Sequence, residues 1–242
     1  MLLSECISYI ISAINKFIGT SLVITSVVMW FCMFVVQARA ESPDGGKLQP
    51  EASRIEAVLD RLQEKMSGIQ GLQTGFVQEK ELAVFKQKIV LKGKVALRKP
   101  SMLAWHVLEP MRYSLVMDGD MVRQWDEDSK QVQEISLARN PAFQAAVAQM
   151  KQWFSGTYKS LEKDYTVGMP SQSPVTLEFT PREATVAAKV IKRVTVIFKD
   201  DERYIQQIRV EEQNGDGMSL TFVDTRLNEP IDEAVWEVKP RV

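Results

Sequence analysis

Residues 88–98 read KIVLKGKVALR, and this stretch decides the fold of the chain. Apolar Ile89, Leu91, Val95 and Leu97 alternate with residues that are mostly basic, a period of two that is typical of a β-strand. Successive side chains of a strand point to opposite faces of a sheet, so the two sets separate. One face of this strand is therefore predicted to be dry and the other solvated.

Segments with the same period precede and follow this strand. Their connections are short, and Asp118-Gly119 is a strong hairpin signal. Connections of this length force neighbouring strands to be antiparallel. The predicted strands are Leu72–Leu82, Lys88–Arg98, Met102–Val107, Tyr113–Met117, Met121–Asp126, Gln131–Leu137, Asp164–Val167, Val175–Thr180, Ile191–Lys199, Tyr204–Gln213, Met218–Asp224 and Ala234–Val238.

Two helical segments interrupt the strands. Between Ile55 and Ile69 the apolar residues recur at helical spacing, and Ser53 with Glu56 forms a capping-box pattern that predicts where this helix begins. A second helix is predicted between Asn140, a capping residue, and Gly156, which stops it. Both helices are expected to cover the sheet with their apolar stripes.

These elements predict an α+β fold that is mostly β. About 10–12 antiparallel strands cannot stay flat, because strand twist curls a large sheet toward a barrel. The predicted architecture is a curled sheet, an incomplete antiparallel β-barrel, with a helical lid on its concave face. That concave side is either a filled core or a ligand cavity, and periodicity does not separate the two.

The N-terminal 40 residues are set apart by composition. Residues 17–36 carry no charge, and Ala38-Arg39-Ala40 is the small-x-small pattern that a signal peptidase reads, so residues 1–40 are interpreted as a signal peptide. An uncleaved anchor is the alternative, since twenty apolar residues can span a bilayer. Residues 41–50 form a predicted flexible lead-in, and 51–242 a single domain.

The inventory of chemical groups favours a binding protein over an enzyme. Cys6 and Cys32 both lie within the leader, and His106 is the single histidine, so the sequence offers no cluster of metal ligands and no catalytic constellation. No metal and no cofactor is expected. Removing residues 1–40 leaves a net charge of about −2, so the remaining chain lacks the excess of positive charge that is typical of nucleic-acid-binding proteins.

Residues 71–80 (GLQTGFVQEK) and 93–106 (GKVALRKPSMLAWH), followed by Glu109-Pro110 and by 115–119 (LVMDG), resemble the periplasmic outer-membrane lipoprotein carrier family, LolA. The resemblance covers most of the chain after the leader. It implies a periplasmic carrier, a monomer, that takes acylated lipoproteins or lipid from an inner-membrane lipoprotein-releasing transporter. The same resemblance implies delivery to an outer-membrane receptor.

The residues expected to line the acyl-chain cavity are large and apolar, and they lie on the predicted strands and on the second helix. They are Phe76, Leu103, Trp105, Val116, Trp125, Phe143, Val147, Met150 and Trp153. The resemblance also implies an arginine directly before the Lys-Pro type proline, which helps hold the lid shut by hydrogen bonding to the lid backbone, and this sequence departs from that pattern by having Lys99 there. The candidates for this lid latch are Lys99, at that position, and Arg98, whose side chain should point to the other face.

Three other interpretations stay open. Residues 150–167 (MKQWFSGTYKSLEKDYTV) also resemble relatives that accompany export of a glycolipid or polyene-type lipid. A lipoprotein-sensing regulatory module can share the curled-sheet architecture and would expose an apolar patch without a cavity. The shortage of candidate catalytic residues argues against an enzyme of envelope lipid metabolism.

Overall fold

A computed structural model of the chain describes residues 49–83, 87–140, 144 and 156–238. Its long helix, α1, spans Gln49–Ser67. The predicted apolar stripe is confirmed, because Ile55, Val58, Leu59, Leu62, Met66 and Ile69 are all buried. The predicted start is wrong: Ser53 lies inside α1, since Pro50 suits the first helical turn and Glu51 lies at the positive end of the helix dipole.

Within the described residues, eleven strands follow α1. Most of the predicted strands are present, with ends that differ by a few residues. They are β1 (Gly71–Leu82), β2 (Gln87–Arg98), β3 (Met102–Glu109), β4 (Tyr113–Asp118), β5 (Met121–Asp126), β6 (Val132–Ser136), β7 (Tyr165–Gln172), β8 (Val175–Pro181), β9 (Ile191–Phe198), β10 (Ile205–Glu212) and β11 (Gly217–Leu227).

The strands form one antiparallel sheet in the order β6-β5-β4-β3-β2-β1-β11-β10-β9-β8-β7. Two meanders, β1 to β6 and β7 to β11, are joined where β1 pairs with β11. The edge strands β6 and β7 are consecutive in the chain, and residues 137–164 connect one edge to the other. The sheet is therefore an incomplete barrel with a helix on one face, and the predicted fold class is confirmed.

The concave face of this sheet carries the main core. The stripe of α1 packs there against strand residues that include Phe76, Phe179 and Phe198, all buried. Tyr158 and Leu161, in a 3-10 segment (Tyr158–Lys163), join the same core. Burial of this apolar area stabilises the fold at about 25 cal/mol per Å².

The convex face carries a second, smaller core under the C-terminal segment. Trp236 and Val238 pack there against Ala96, Ala104 and Val116. The predicted strand Ala234–Val238 is wrong, because residues Glu233–Trp236 form a 3-10 turn. The carboxylate of Asp232 accepts a hydrogen bond from the Ala234 N–H at 2.9 Å, and this cap favours the turn.

Most of the second predicted helix, 140–156, lies outside the described residues. At its start the Asn140 carbonyl accepts a hydrogen bond from the Gln144 N–H at 2.9 Å, a helical i to i+4 contact. Gln144 itself is helical. In the described ranges the structure contains no helix that is both long and apolar enough to cross a membrane.

Candidate functional site

A cavity of about 30 Å³ opens between the C-terminal end of α1 and the concave face of the central strands. Its walls are mostly apolar and come from α1, the central strands and the start of β10. The lining residues are Met66, Ile69, Leu72, Thr74, Val95, Leu97, Lys99, Leu103, Tyr204, Ile205, Phe222 and Thr225.

This volume is small for a ligand site. A cavity needs roughly 10–15 Å³ to hold one water molecule, whereas pockets that enclose small organic ligands measure roughly 300–1,000 Å³. The stripe of α1 fills the space that a larger ligand would need, because Leu59 and Leu62 are 1% and 0% exposed. A long apolar ligand could therefore enter only if α1 moved away from the sheet.

Lys99 lies at the edge of the cavity and holds the last turn of α1. Its Nζ donates to the Ser67 carbonyl oxygen at 3.2 Å and to that of Met66 at 3.4 Å. The last carbonyls of a helix have no partner within the helix, and a cation there also interacts favourably with the helix dipole. Lys99 thus makes the backbone contact that the latch hypothesis requires of this position.

Arg98 lies on the other face of the sheet, as the alternation of side chains predicts. Its guanidinium is bonded to Glu233 at 2.7 Å and lies 4.9 Å from the centre of the Trp236 ring. Both partners belong to the C-terminal segment. The structure therefore separates the two latch candidates, and only Lys99 reaches α1.

A second attachment of α1 was not foreseen from the sequence. Glu202, in the turn between β9 and β10, accepts hydrogen bonds from Arg61 Nε at 2.7 Å, Arg61 Nη2 at 3.0 Å and Lys65 Nζ at 2.9 Å. Acidic turns such as residues 200–202 are usually solvated, but the Glu202 side chain is only 14% exposed. The Arg61 hydrogen bonds lower the pKa of Glu202 below its usual value, against the opposing effect of burial.

The N-terminal half of α1 has a third attachment. Lys159 is bonded to Asp60 at 2.6 Å and to Glu56 at 3.2 Å, from the 3-10 segment that carries Tyr158. The Tyr158 ring is fully buried and packs edge-on against Phe198, at 5.7 Å between ring centres. Ion pairs at the solvent side thus hold α1 to the β9–β10 turn and to the 3-10 segment, above a layer of apolar packing.

Three of the predicted cavity residues lie together on the concave face. The Phe76 and Trp105 rings are 4.7 Å apart between centres, and Leu103 lines the cavity. Val116 and Trp125, by contrast, belong to the small core on the convex face. The alternation of β3 and β4 explains this, because Val116 pairs with Ala104 and not with Trp105. The two convex residues are thus on the wrong side of the sheet for the cavity.

The four remaining predicted cavity residues lie outside the described residues. They are Phe143, Val147, Met150 and Trp153. All four belong to the second predicted helix, in the stretch that connects the two edges of the sheet. Their part in a cavity stays a prediction.

His106, the single histidine, has a structural environment on the convex face. Its Nε2 lies 2.8 Å from the Val235 carbonyl oxygen and its Nδ1 lies 2.9 Å from Ser114 Oγ. These contacts fit a neutral ring that donates to Val235 and accepts from the Ser114 hydroxyl. Burial lowers the pKa of His106 from its ordinary value, and the charge of Lys94 adds to this effect. The ring fastens the C-terminal segment to the sheet.

No group of three or more His, Cys, Asp or Glu side chains suited to a metal ion occurs within residues 49–83, 87–140, 144 and 156–238. The chemistry that the cavity offers is apolar contact, with one ammonium and a few hydroxyl groups at its edge. Such a site suits reversible binding of an amphiphilic molecule.

Comparison with known proteins gives consistent matches. The family described as "Outer membrane lipoprotein carrier protein LolA" matches residues 67–239. An outer-membrane lipoprotein carrier protein of Pseudoalteromonas translucida (strain TAC 125) is 21% identical over 183 residues, which are 74% of this chain and 81% of that protein.

Solved structures with lower identity also match. A LolA superfamily protein from Nitrosomonas europaea matches with a TM-score of 0.39 and 12% identity, over 74% of this chain and 96% of that one. The lipoprotein LppX of Mycobacterium tuberculosis matches with a TM-score of 0.47 and 14% identity, over 73% and 98% of the two chains.

Proposed function

The chain belongs to the outer membrane lipoprotein carrier family, LolA, and from this premise we propose that it is a periplasmic carrier for acyl chains. It binds the acyl chains of lipoproteins between α1 and the concave face and moves them from the inner to the outer membrane. The observation that carries the proposal is the small apolar cavity between α1 and the concave face of the sheet. A carrier of this kind works by binding and release and performs no catalysis.

The way α1 is held supports this role. Its outer side is attached by ion pairs whose basic partners are partly exposed: Arg61 is 46% exposed, Lys65 39% and Lys159 35%. Ion pairs with a partly exposed partner are weak, so breaking them costs little compared with exposing an apolar face. The larger cost of lifting α1 is the exposure of its apolar stripe. An acyl chain that takes the place of the stripe offsets part of that cost, because it covers the apolar strand residues that α1 otherwise buries.

A carrier must also release its cargo. Two or three acyl chains bound to an apolar wall dissociate slowly, so transfer needs a partner with a better site. We therefore infer an inner-membrane lipoprotein-releasing transporter and an outer-membrane receptor as partners, and a monomeric carrier between them. Residues 1–40, as a signal peptide, would direct the chain to the periplasm.

The proposal is tested by binding of a fluorescent triacylated lipopeptide to the protein purified after expression of the full-length chain. Unacylated peptide serves as the ligand control. Leu97→Gln, in the cavity wall, should weaken binding about tenfold, because it introduces an unpaired amide into an apolar site. Val90→Gln is the matched control, since Val90 is on the same strand but 37% exposed on the convex face.

Saturable binding that requires acylation supports the carrier. Binding of free lipid without binding of the lipopeptide would instead favour a carrier for a glycolipid or polyene-type lipid. Absence of any acyl binding would contradict the proposal and leave a lipoprotein-sensing regulatory module as the better interpretation.

A further inference from the structure

We propose that Lys99 selects the bound amphiphile by its head, taking a carboxylate or ester carbonyl oxygen of an acyl ligand at the edge of the cavity. The inference rests on the proposed function and adds to it the chemistry of the ligand head. It follows from the composition of the lining, from the geometry of the Lys99 ammonium and from the position of that ammonium against α1.

The lining contains one charged side chain. Of the twelve lining residues eight are apolar and three carry hydroxyl groups, and the twelfth is Lys99. No carboxylate is among them, so within the described part of the chain the cavity offers a ligand a positive charge and no negative one. A hydrocarbon chain with an oxygen-rich or anionic head complements this arrangement, whereas a cationic head would be repelled.

Two of the three hydroxyl groups next to the cavity are already engaged. Thr74 Oγ1 lies 2.8 Å from Thr225 Oγ1 and donates within the sheet, where the Val223 carbonyl oxygen lies at 3.0 Å. These two threonines therefore pair with each other and with the backbone. Tyr204 carries the third hydroxyl group, and Lys99 is the lining residue that offers a ligand both a positive charge and several donors.

The present partners of Lys99 are weak ones. The two carbonyl oxygens lie 3.2 and 3.4 Å from Nζ, longer than the usual 2.9–3.0 Å for an N–H···O bond. An ammonium has three donors, and a carboxylate accepts at about 2.7–2.9 Å with roughly twice the strength of a neutral acceptor. An acyl head that reaches Nζ is thus a better partner than the end of α1.

This exchange couples ligand binding to the lid. When Nζ turns to the ligand head, the Met66 and Ser67 carbonyls lose their cation. The end of α1 then keeps the bond from Asn228 Nδ2 to the Gly68 carbonyl oxygen, at 3.2 Å. Binding of the ligand head to Lys99 therefore weakens the attachment of α1, the helix that must move before the acyl chain can enter.

The test compares three ligands with the same twelve-carbon chain: dodecanoate, methyl dodecanoate and dodecan-1-ol. Each is titrated by calorimetry into the protein purified after expression of the full-length chain, and into its variants Lys99→Met and Lys99→Arg. Methionine keeps an unbranched stem of similar length and removes the charge. Arg98→Met is the matched control, because Arg98 is the neighbouring cation but lies on the convex face.

We expect the unsubstituted protein to bind the acid about tenfold more tightly than the alcohol, a difference of about 1.4 kcal/mol, with the ester between them. Lys99→Met should bind all three alike with little change for the alcohol, and Lys99→Arg should restore the preference. Arg98→Met should retain it. An ester that binds better than the alcohol identifies lipoprotein ester carbonyls as heads that Lys99 serves, and an ester equal to the alcohol restricts the site to free acids.

Equal binding of acid and alcohol by the unsubstituted protein would overturn this inference and leave the carrier function standing. A preference that persists in Lys99→Met would also overturn it. If neither these ligands nor the triacylated lipopeptide bound, the carrier function itself would fail and this inference with it. Circular dichroism of each variant checks that the fold is intact.

Discussion

Arg61 and Glu202 lie 141 residues apart in the chain and meet through two hydrogen bonds, of 2.7 Å from Nε and 3.0 Å from Nη2. The planar guanidinium matches both carboxylate oxygens at once, a geometry that lysine cannot reproduce. Glu202 adopts a left-handed backbone conformation, with φ of 61°, which is uncommon outside glycine. The turn between β9 and β10 therefore presents its carboxylate to α1.

A double-mutant cycle should detect this pair. We expect Arg61→Met and Glu202→Gln to show a coupling energy of about 1 kcal/mol in urea unfolding, because the pair is bidentate but its arginine is partly exposed. The control cycle uses Arg226→Met and Glu229→Gln, a pair at 3.7 Å with both side chains more than half exposed. Its coupling should be near zero. Equal coupling in the two cycles would show that the first pair is an ordinary surface contact.

The free energy of unfolding should depend on pH in a way that shows the titration of Glu202. Arg61 lowers the pKa of its carboxyl in the folded protein, so the unfolded chain binds the proton more readily. The stability that this pair contributes should be fully present above the unfolded value of about 4.3 and should be lost as the pH falls through the folded pKa. The measurement is urea unfolding from pH 7 to pH 3. The difference between the unsubstituted protein and Glu202→Gln should shrink in acid; a constant difference would contradict the expectation.

His106 should titrate at an unusually low pH. Burial lowers the pKa of the ring, and as the single histidine it gives one unambiguous NMR signal. The titration midpoint should lie below 6.5 in the folded protein and near 6.5 in urea. Since the unfolded chain then binds the proton more readily, this residue's contribution to stability is full above about pH 6.5 and declines as the pH falls below it. A folded midpoint at or above 6.5 would exclude the neutral, buried ring described here.

The sequence predicts well those features that repeat along the chain. The apolar stripe of α1 and the alternation in β2 to β4 fix which faces are buried, because each depends on a local period. Pairings between residues far apart in the chain leave no such signal, so the local sequence around Glu202 does not indicate its contacts with Arg61 and Lys65. The strand predicted at Ala234–Val238 fails for a related reason: Trp236 and Val238 alternate as in a strand, but they pack on the sheet without joining it.

Gly93→Ala should be strongly destabilising. A Cβ at this position would overlap the carbonyl oxygen of His106 and lie 2.6 Å from the ring of Phe76. Neither neighbour can move freely, since one is backbone and the other is a buried ring, so we expect a loss of about 3 kcal/mol or more in thermal or urea unfolding. Gly168→Ala in β7 is the control, because the nearest atoms to its Cβ would be 4.0 Å away. That variant should change stability by no more than about 0.5 kcal/mol.

Because β1 pairs with β11, the centre of the sheet can form only after the last of the described strands has been synthesised. The helix α1 is the first described element to be synthesised, yet Asn228, which binds the Gln70 N–H and the Gly68 carbonyl, follows it by about 160 residues. Contacts of such high sequence separation form late, after the loop between them has been closed. Until Asn228 is synthesised, α1 can be held only by contacts that are nearer in sequence, such as the bond from Lys99 to the Ser67 carbonyl oxygen. We expect the apolar stripe of α1 to stay incompletely covered during synthesis, until the strands of the second meander are available to pack against it.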